Sequence, residues 1–131
     1  MDEPVWLSRT IVEALHADQI GEHGGKAGIR EEGMLEYALA RPLQRWSYEP
    51  EVDVAALAAE CCFGLAKNHA FLDGNKRVAF VAANVFLILN GFEIEAPEPA
   101  VVDAMLRVAD GSMDREATAT WIRSVLVPYR E

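Results

Sequence analysis

The amino-acid sequence predicts an all-α protein, a compact bundle of about six helices with one short extended flap. Two observations carry that expectation. The stretches Asp53–Asn68 and Asn75–Leu89 are apolar on nearly every side and too long for strands, so they are read as the buried central pair of the bundle. Around them the chain is punctuated by residues that start and stop helices, and alternation of apolar with polar residues is confined to one short run.

Taken in order, Ser8 is an N-cap for a first helix to about Ile20, with Ile11, Val12, Leu15 and Ile20 turned inward. Gly21, Gly24, Gly25 and Gly28 then make a loop. A second helix begins near Arg30, carries Met34, Leu35, Ala38 and Leu39, and is expected to stop at Pro42, which lacks the N–H a helix interior needs. Leu43–Val52, with Trp46, Tyr48 and Pro50, has no helical period and reads as an extended loop or short hairpin, the flap. Asp53 caps the third helix, and Asn90-Gly91 closes the fourth. Phe92–Glu95 alternates apolar with acidic and reads as a short strand. Two amphipathic helices, about Glu98–Ala109 and Asp114–Val127, complete the chain.

Length fits one domain spanning residues 1–131. The net charge of -9 argues against a nonspecific nucleic-acid binder, which needs a basic surface to displace counterions. A local basic pocket is still available, because Lys67, Lys76 and Arg77 bracket one short loop. Cys61 and Cys62 are helical neighbours whose side chains diverge by roughly 100°, so they read as small buried apolar groups rather than a disulfide or zinc pair. The acidic start, Met1-Asp-Glu-Pro, lacks the character of a signal peptide, and the longest apolar run is too short to span a bilayer. A cytoplasmic protein with no membrane partner is the expectation.

Several features are set aside. Gly25-Lys26 is not a Walker loop, since Ile20 and Ala27 stand where a glycine and a Ser or Thr belong. His16 and His23 sit among polar residues and read as solvated surface histidines. Asp110, Asp114 and Glu116 read as a solvated face with charges suited to a helix start.

The loop between the central helices is richer. His69 lies just past the end of the third helix, where the negative end of the dipole suits a base working near neutral pH. Gly74, Asn75, Lys76 and Arg77 open the fourth, whose free N–H groups make an anion site. Gly74 lets a phosphate approach the backbone, Asn75 adds an amide donor, and Arg77 offers a planar fork. Asp73 beside this positive site makes sense as a carboxylate for a divalent metal bridging phosphates. Base, metal ligand and phosphate cradle in one loop suit phosphoryl or nucleotidyl transfer. Composition alone favours the plainer reading, a turn and helix start with His69 as a polar loop residue and Lys76 and Arg77 as ordinary surface cations.

The run His69-Ala-Phe-Leu-Asp-Gly-Asn-Lys-Arg77 resembles the Fic-family core, His-x-Phe-x-Asp/Glu-Gly-Asn-x-Arg, at every fixed position. Gly24–Arg30, Leu35–Leu39, Arg41-Pro42, Gly64–Asn68 and Phe86–Gly91 are similar to the frame of the Doc, or death-on-curing, branch, so the likeness spans about residues 8 to 125. The resemblance implies a Fic/Doc-type bundle in which His69 takes the proton from the attacking hydroxyl and Phe71 anchors the loop. It further implies that Asp73 works with Mg2+, that Gly74, Asn75, Lys76 and Arg77 hold the phosphates of ATP, and that the Leu43–Val52 flap aligns the target segment. Ala70 replaces a frequent Pro. Lys76 replaces the second glycine of AMP-transferring members, and a long cation there changes which phosphates fit. In the Doc branch this accompanies transfer of the γ-phosphoryl group to translation elongation factor Tu. The implied protein is therefore a toxin kinase that inhibits translation; the alternatives are a Fic-type AMP or nucleotide transferase and a catalytically inactive binding module. The self-inhibitory string Ser/Thr-x-x-x-Glu-Gly/Asn is missing, and its nearest approach, Ser47–Glu51, is followed by Val52 and contains Pro50. The resemblance thus implies a small Phd-like antitoxin acting in trans.

Overall fold

A computed structural model describes residues 2–130. Its elements are α1 (Arg9–His23), α2 (Glu32–Tyr48), α3 (Val54–Lys67), α4 (Asn75–Leu89), β1 (Phe92–Ile94), α5 (Glu98–Asp110), α6 (Arg115–Ser124) and β2 (Leu126–Pro128). The expected bundle of six helices is what forms, and α3 is its axis, packed by α2, α4, α5 and α6. That position follows from composition: nearly every α3 residue from Val54 to Ala66 is buried, and small side chains let neighbours close in. A Cβ added at Gly64 would lie 2.9 Å from the Ala38 Cβ, so α2 and α3 meet there almost backbone to backbone. Cys61 and Cys62 are free and buried in this core, as expected. Burial pushes the Cys61 thiol up to about 12 and raises that of Cys62 as well, so neither is ionised near neutrality.

Two of the expected caps form. The Ser8 side chain accepts from the Ile11 N–H at 3.2 Å, and Asp53 Oδ1 accepts from the Ala56 N–H at 3.0 Å. Asp53 also binds Arg123 of α6 through both carboxylate oxygens, at 2.6 and 3.0 Å. The Arg123 hydrogen bond is the main reason the Asp53 carboxyl sits below its ordinary range, with the Ala56 N–H adding to it. A depressed folded-state value means that this stabilisation is complete above about pH 4 and is lost as pH falls through the folded value. Asp53→Asn keeps the cap and removes the charge. The half-exposed pair is screened, so we expect about 1 kcal/mol of lost stability at pH 7 and a shallower decline in acid. Urea unfolding at pH 7 and pH 3 measures both, and an unchanged acid slope would contradict the assignment.

Four expectations need correction. Helix α2 does not stop at Pro42 but continues to Tyr48, so most of Leu43–Val52 is helical and only residues 49–53 remain irregular. Pro42 forfeits one hydrogen bond, yet it is buried with Leu35 and Ala38 on the face that meets α3. On either side of it, Arg41 and Arg45 reach Glu60 of α3, at 3.6 and 3.2 Å, and Arg115 of α6 approaches the same carboxylate at 3.1 Å. Those long-range ion pairs hold the last turns of α2 in register. The extended element lies elsewhere, in an antiparallel ribbon pairing Phe92 with Pro128, Glu93 with Val127 and Ile94 with Leu126. The second correction follows from it, since α6 ends at Ser124 and Leu126–Pro128 is strand. Third, α1 extends to His23 and Ile11 points outward, the buried stripe being Val12 and His16. Fourth, His16 is a core residue, 3% exposed, and not a solvated one. Among the described residues no helix is long and apolar enough to cross a membrane.

Candidate active site

The loop from Asn68 to Gly74 joins the two most buried helices, and its backbone is fixed from three sides. Helix α3 ends where the Asn68 N–H bonds the Gly64 carbonyl. The next residue, His69, has φ of 50°, a left-handed conformation uncommon for a non-glycine residue. Arg30 holds it there: its Nε donates to the His69 carbonyl at 2.8 Å, and its backbone N–H donates to the Ala70 carbonyl at 2.8 Å. The Leu72 N–H donates in turn to the Gly28 carbonyl, and Ile29 forms a β-bridge with Phe71. The glycine loop after α1 is thus a splint for the motif loop. Gly25 serves that purpose sterically, since a Cβ on it would lie 2.6 Å from Asp73 Oδ2.

From inside, Phe71 is buried, as the resemblance implies. Asn75 brackets it: the Phe71 N–H donates to Asn75 Oδ1 and Asn75 Nδ2 donates to the Phe71 carbonyl, both at 3.0 Å. Asn75 was expected to offer its amide to phosphate. Here both ends of its carboxamide are engaged, because a buried loop peptide must find partners. From α1, His16 Nε2 lies 2.7 Å from the Asp73 carbonyl oxygen, and its ring stacks on Phe71 at 3.8 Å and 10°.

At the start of α4 Gly74 and Asn75 are enclosed, Asp73 and Lys76 are exposed, and Arg77 is half-buried. Gly74 caps α4 with φ of 74°, and no side chain caps the helix N–H groups. The Gly74 N–H donates to Asp73 Oδ1 at 2.8 Å, and the Lys26 N–H lies 3.4 Å from Oδ2. These donors, Gly74 first, hold the Asp73 carboxyl below its ordinary range, so it is an anion at neutral pH. Arg77 stands beside it, donating from Nη2 to the Gly24 carbonyl at 3.2 Å. Asp73, Gly74 and Arg77 are therefore together, and Lys76 and Arg77 also line a groove of about 540 Å³ whose walls include Phe80, Val101 and Met105. His69 opens the loop on its exposed side. Among the described residues no group of three or more His, Cys, Asp or Glu could hold a metal. The lone Asp73 carboxylate suits Mg2+ that takes most of its ligands from phosphates and water.

Two contributors escaped the sequence reading, His16 and Arg30. His16 carried a usable signal, standing four residues after Val12 and four before Ile20, on the inner stripe of α1. Arg30 was legible only as the end of the Gly24–Arg30 frame and not as a brace, since its partners are loop carbonyls far along the chain.

Fold and loop together define a class: helical bundles whose central pair is joined by an anion-receptive, histidine-bearing loop. Residues 6–87, more than half of the chain, match the model of the Fic/DOC family. The chain is 31% identical over 110 residues to the "Protein kinase doc" of Escherichia phage P1, covering 84% of this chain and 86% of that protein. It is 35% identical over 99 residues to the "Toxin Doc" of Mycolicibacterium smegmatis, covering 73% and 76%. This chain belongs to the Fic/Doc family.

Proposed function

We propose that the protein transfers the γ-phosphoryl group of ATP to a hydroxyl of a protein target, an elongation factor Tu-like translation factor, and so inhibits translation. The observation that carries the reading is the uncapped, glycine-led start of α4 with Asp73 and Arg77 beside it, in the same short loop as His69. In this scheme His69 accepts the proton of the target hydroxyl as its oxygen bonds to the γ-phosphorus. The bond from that phosphorus to the β,γ-bridging oxygen breaks, and ADP leaves. The N–H groups of α4, Lys76 and Arg77 offset the charge on the phosphates. Asp73 would hold Mg2+, which neutralises phosphate oxygens when bound. Asn75 keeps the loop in shape. The name carried by the phage P1 relative, a protein kinase, supports phosphoryl over nucleotidyl transfer, as does the cation at Lys76.

The name of the mycobacterial relative, a toxin, supports control by a small Phd-like antitoxin in trans. The apolar groove beside Lys76 and Arg77 would receive an amphipathic helix of that partner, covering the cradle.

The test is incubation with γ-labelled and α-labelled ATP and a cell lysate. Label from the γ position on one protein is expected; label from the α position would instead mean nucleotide transfer, and none would mean a binding module. Lys76→Gly, which restores the glycine of AMP-transferring members, should lower γ-transfer at least about tenfold, the loss of one charge-assisted phosphate contact. An unchanged γ-rate would remove Lys76 from nucleotide seating.

A further inference from the structure

His16 lies outside the motif, yet it touches the motif's most adaptable peptide. A carbonyl oxygen only accepts, so the 2.7 Å contact requires that His16 Nε2 carry a proton and donate to the Asp73 carbonyl. In a trans peptide the C=O and the following N–H point in opposite directions. Fixing the Asp73 carbonyl toward α1 therefore turns the Gly74 N–H outward, to the start of α4, where it meets Asp73 Oδ1. Gly74 makes that orientation insecure. With φ of 74° and no Cβ, it tolerates either sign of φ, so its own backbone preference does not hold the 73–74 peptide in one orientation. A Cβ would not be tolerated easily, since it would lie 3.3 Å from both Arg77 Nη2 and Ile20 Cδ1. The residue that leaves room for an anion thus does not itself fix the peptide.

We infer that His16 is a positioning residue that locks the Asp73–Gly74 peptide with its N–H toward the start of α4, where it holds the Asp73 carboxylate, so that nucleotide meets a preset carboxylate and helix start. Its burial and its parallel stack on Phe71, itself bracketed by Asn75, keep the imidazole from following the peptide. The inference rests on the nucleotide-transfer reading for its consequence but not for its geometry. A merely structural histidine would support the core without selecting a peptide orientation.

The two roles separate in kinetics. If the competent orientation becomes a fraction of the population, apparent nucleotide affinity falls by that fraction, while saturating nucleotide restores the orientation. His16→Phe keeps the stack and removes the donor; His16→Gln keeps a donor of similar reach. For the Phe variant we expect KM for ATP to rise about tenfold with kcat within about twofold, and for the Gln variant KM within about threefold of the parent. The 15N amide resonance of Gly74, recorded without nucleotide, should shift or double in the Phe variant and stay near its parent position in the Gln variant. An unchanged KM and an unchanged Gly74 resonance in folded His16→Phe would overturn the inference, as would a fall in kcat alone with reduced thermal stability. If the Phe variant unfolds, the Gln variant decides: a parental Gly74 resonance supports the lock, and a shifted one overturns it. A responsive Gly74 resonance in a protein that transfers no label from ATP would sink the transfer reading and leave the peptide lock standing.

Discussion

Replacing His69 with alanine should reduce γ-phosphoryl transfer by about two to four orders of magnitude, the usual contribution of a positioned general base. The side chain is exposed and the loop is held through its backbone, by Arg30 on the His69 carbonyl and by Asn75 and His16 further along. Alanine therefore opens no cavity, and it adopts the positive φ at position 69 only somewhat less readily than histidine does. Stability should change by less than about 1 kcal/mol. Initial rates with γ-labelled ATP, set against thermal melts of the two proteins, check both halves. A folded His69→Ala protein that keeps more than about a tenth of the parental rate would take the proton-accepting role away from His69.

The second large effect concerns the frame. Glu60→Ala should destabilise the fold by about 3 kcal/mol, the lower part of the range for breaking a buried ion pair. Glu60 is 3% exposed and is the only carboxylate of the cluster inside the core, with Arg41, Arg45 and Arg115 converging on it. Its Oε2 accepts from Arg45 Nη1 at 3.2 Å; Arg115 Nε lies near Oε1 but off the hydrogen-bond direction, so that contact is chiefly coulombic. Removing the carboxylate leaves three guanidinium groups facing one another. Arg41 and Arg115 can swing toward solvent, whereas Arg45 is more enclosed and keeps only Glu49 and Glu116 on the rim. Hence the lower part of the range. A melting temperature reduced by about 10 °C is expected, with Glu60→Gln intermediate. Equal stability of Glu60→Ala and the parent would show that the arginines do not depend on this charge.

The same cluster shows why part of the fold was legible and part was not. Helices α3 and α4 announce themselves locally, through apolar residues on every face, the Asp53 cap and the Asn90-Gly91 stop. Pro42 also sends a local signal, and that signal is to stop; what overrides it is Glu60, on another helix. The pairing of Leu126–Pro128 with Phe92–Ile94 has the same character, because neither strand shows which partner awaits it. The site divides likewise. Asp73, Gly74, Lys76 and Arg77 are adjacent in sequence and their chemistry can be read there. His16 and Arg30 reach the loop from other elements, and only folding reveals them.

The loop's backbone belongs to the core as much as the helices do. Ala70 and Phe71 are fully enclosed, and the peptide groups from His69 to Asp73 are tied to Arg30, Gly28, Asn75 and His16. No smaller cooperative unit contains that loop alone, because freeing it means separating α1 and the glycine loop from the α3–α4 pair. The amides of Phe71 and Leu72 should accordingly exchange with solvent hydrogen as slowly as those in the middle of α3. Heat should leave transfer intact until the core itself melts, with no lower temperature at which the catalytic loop loosens first.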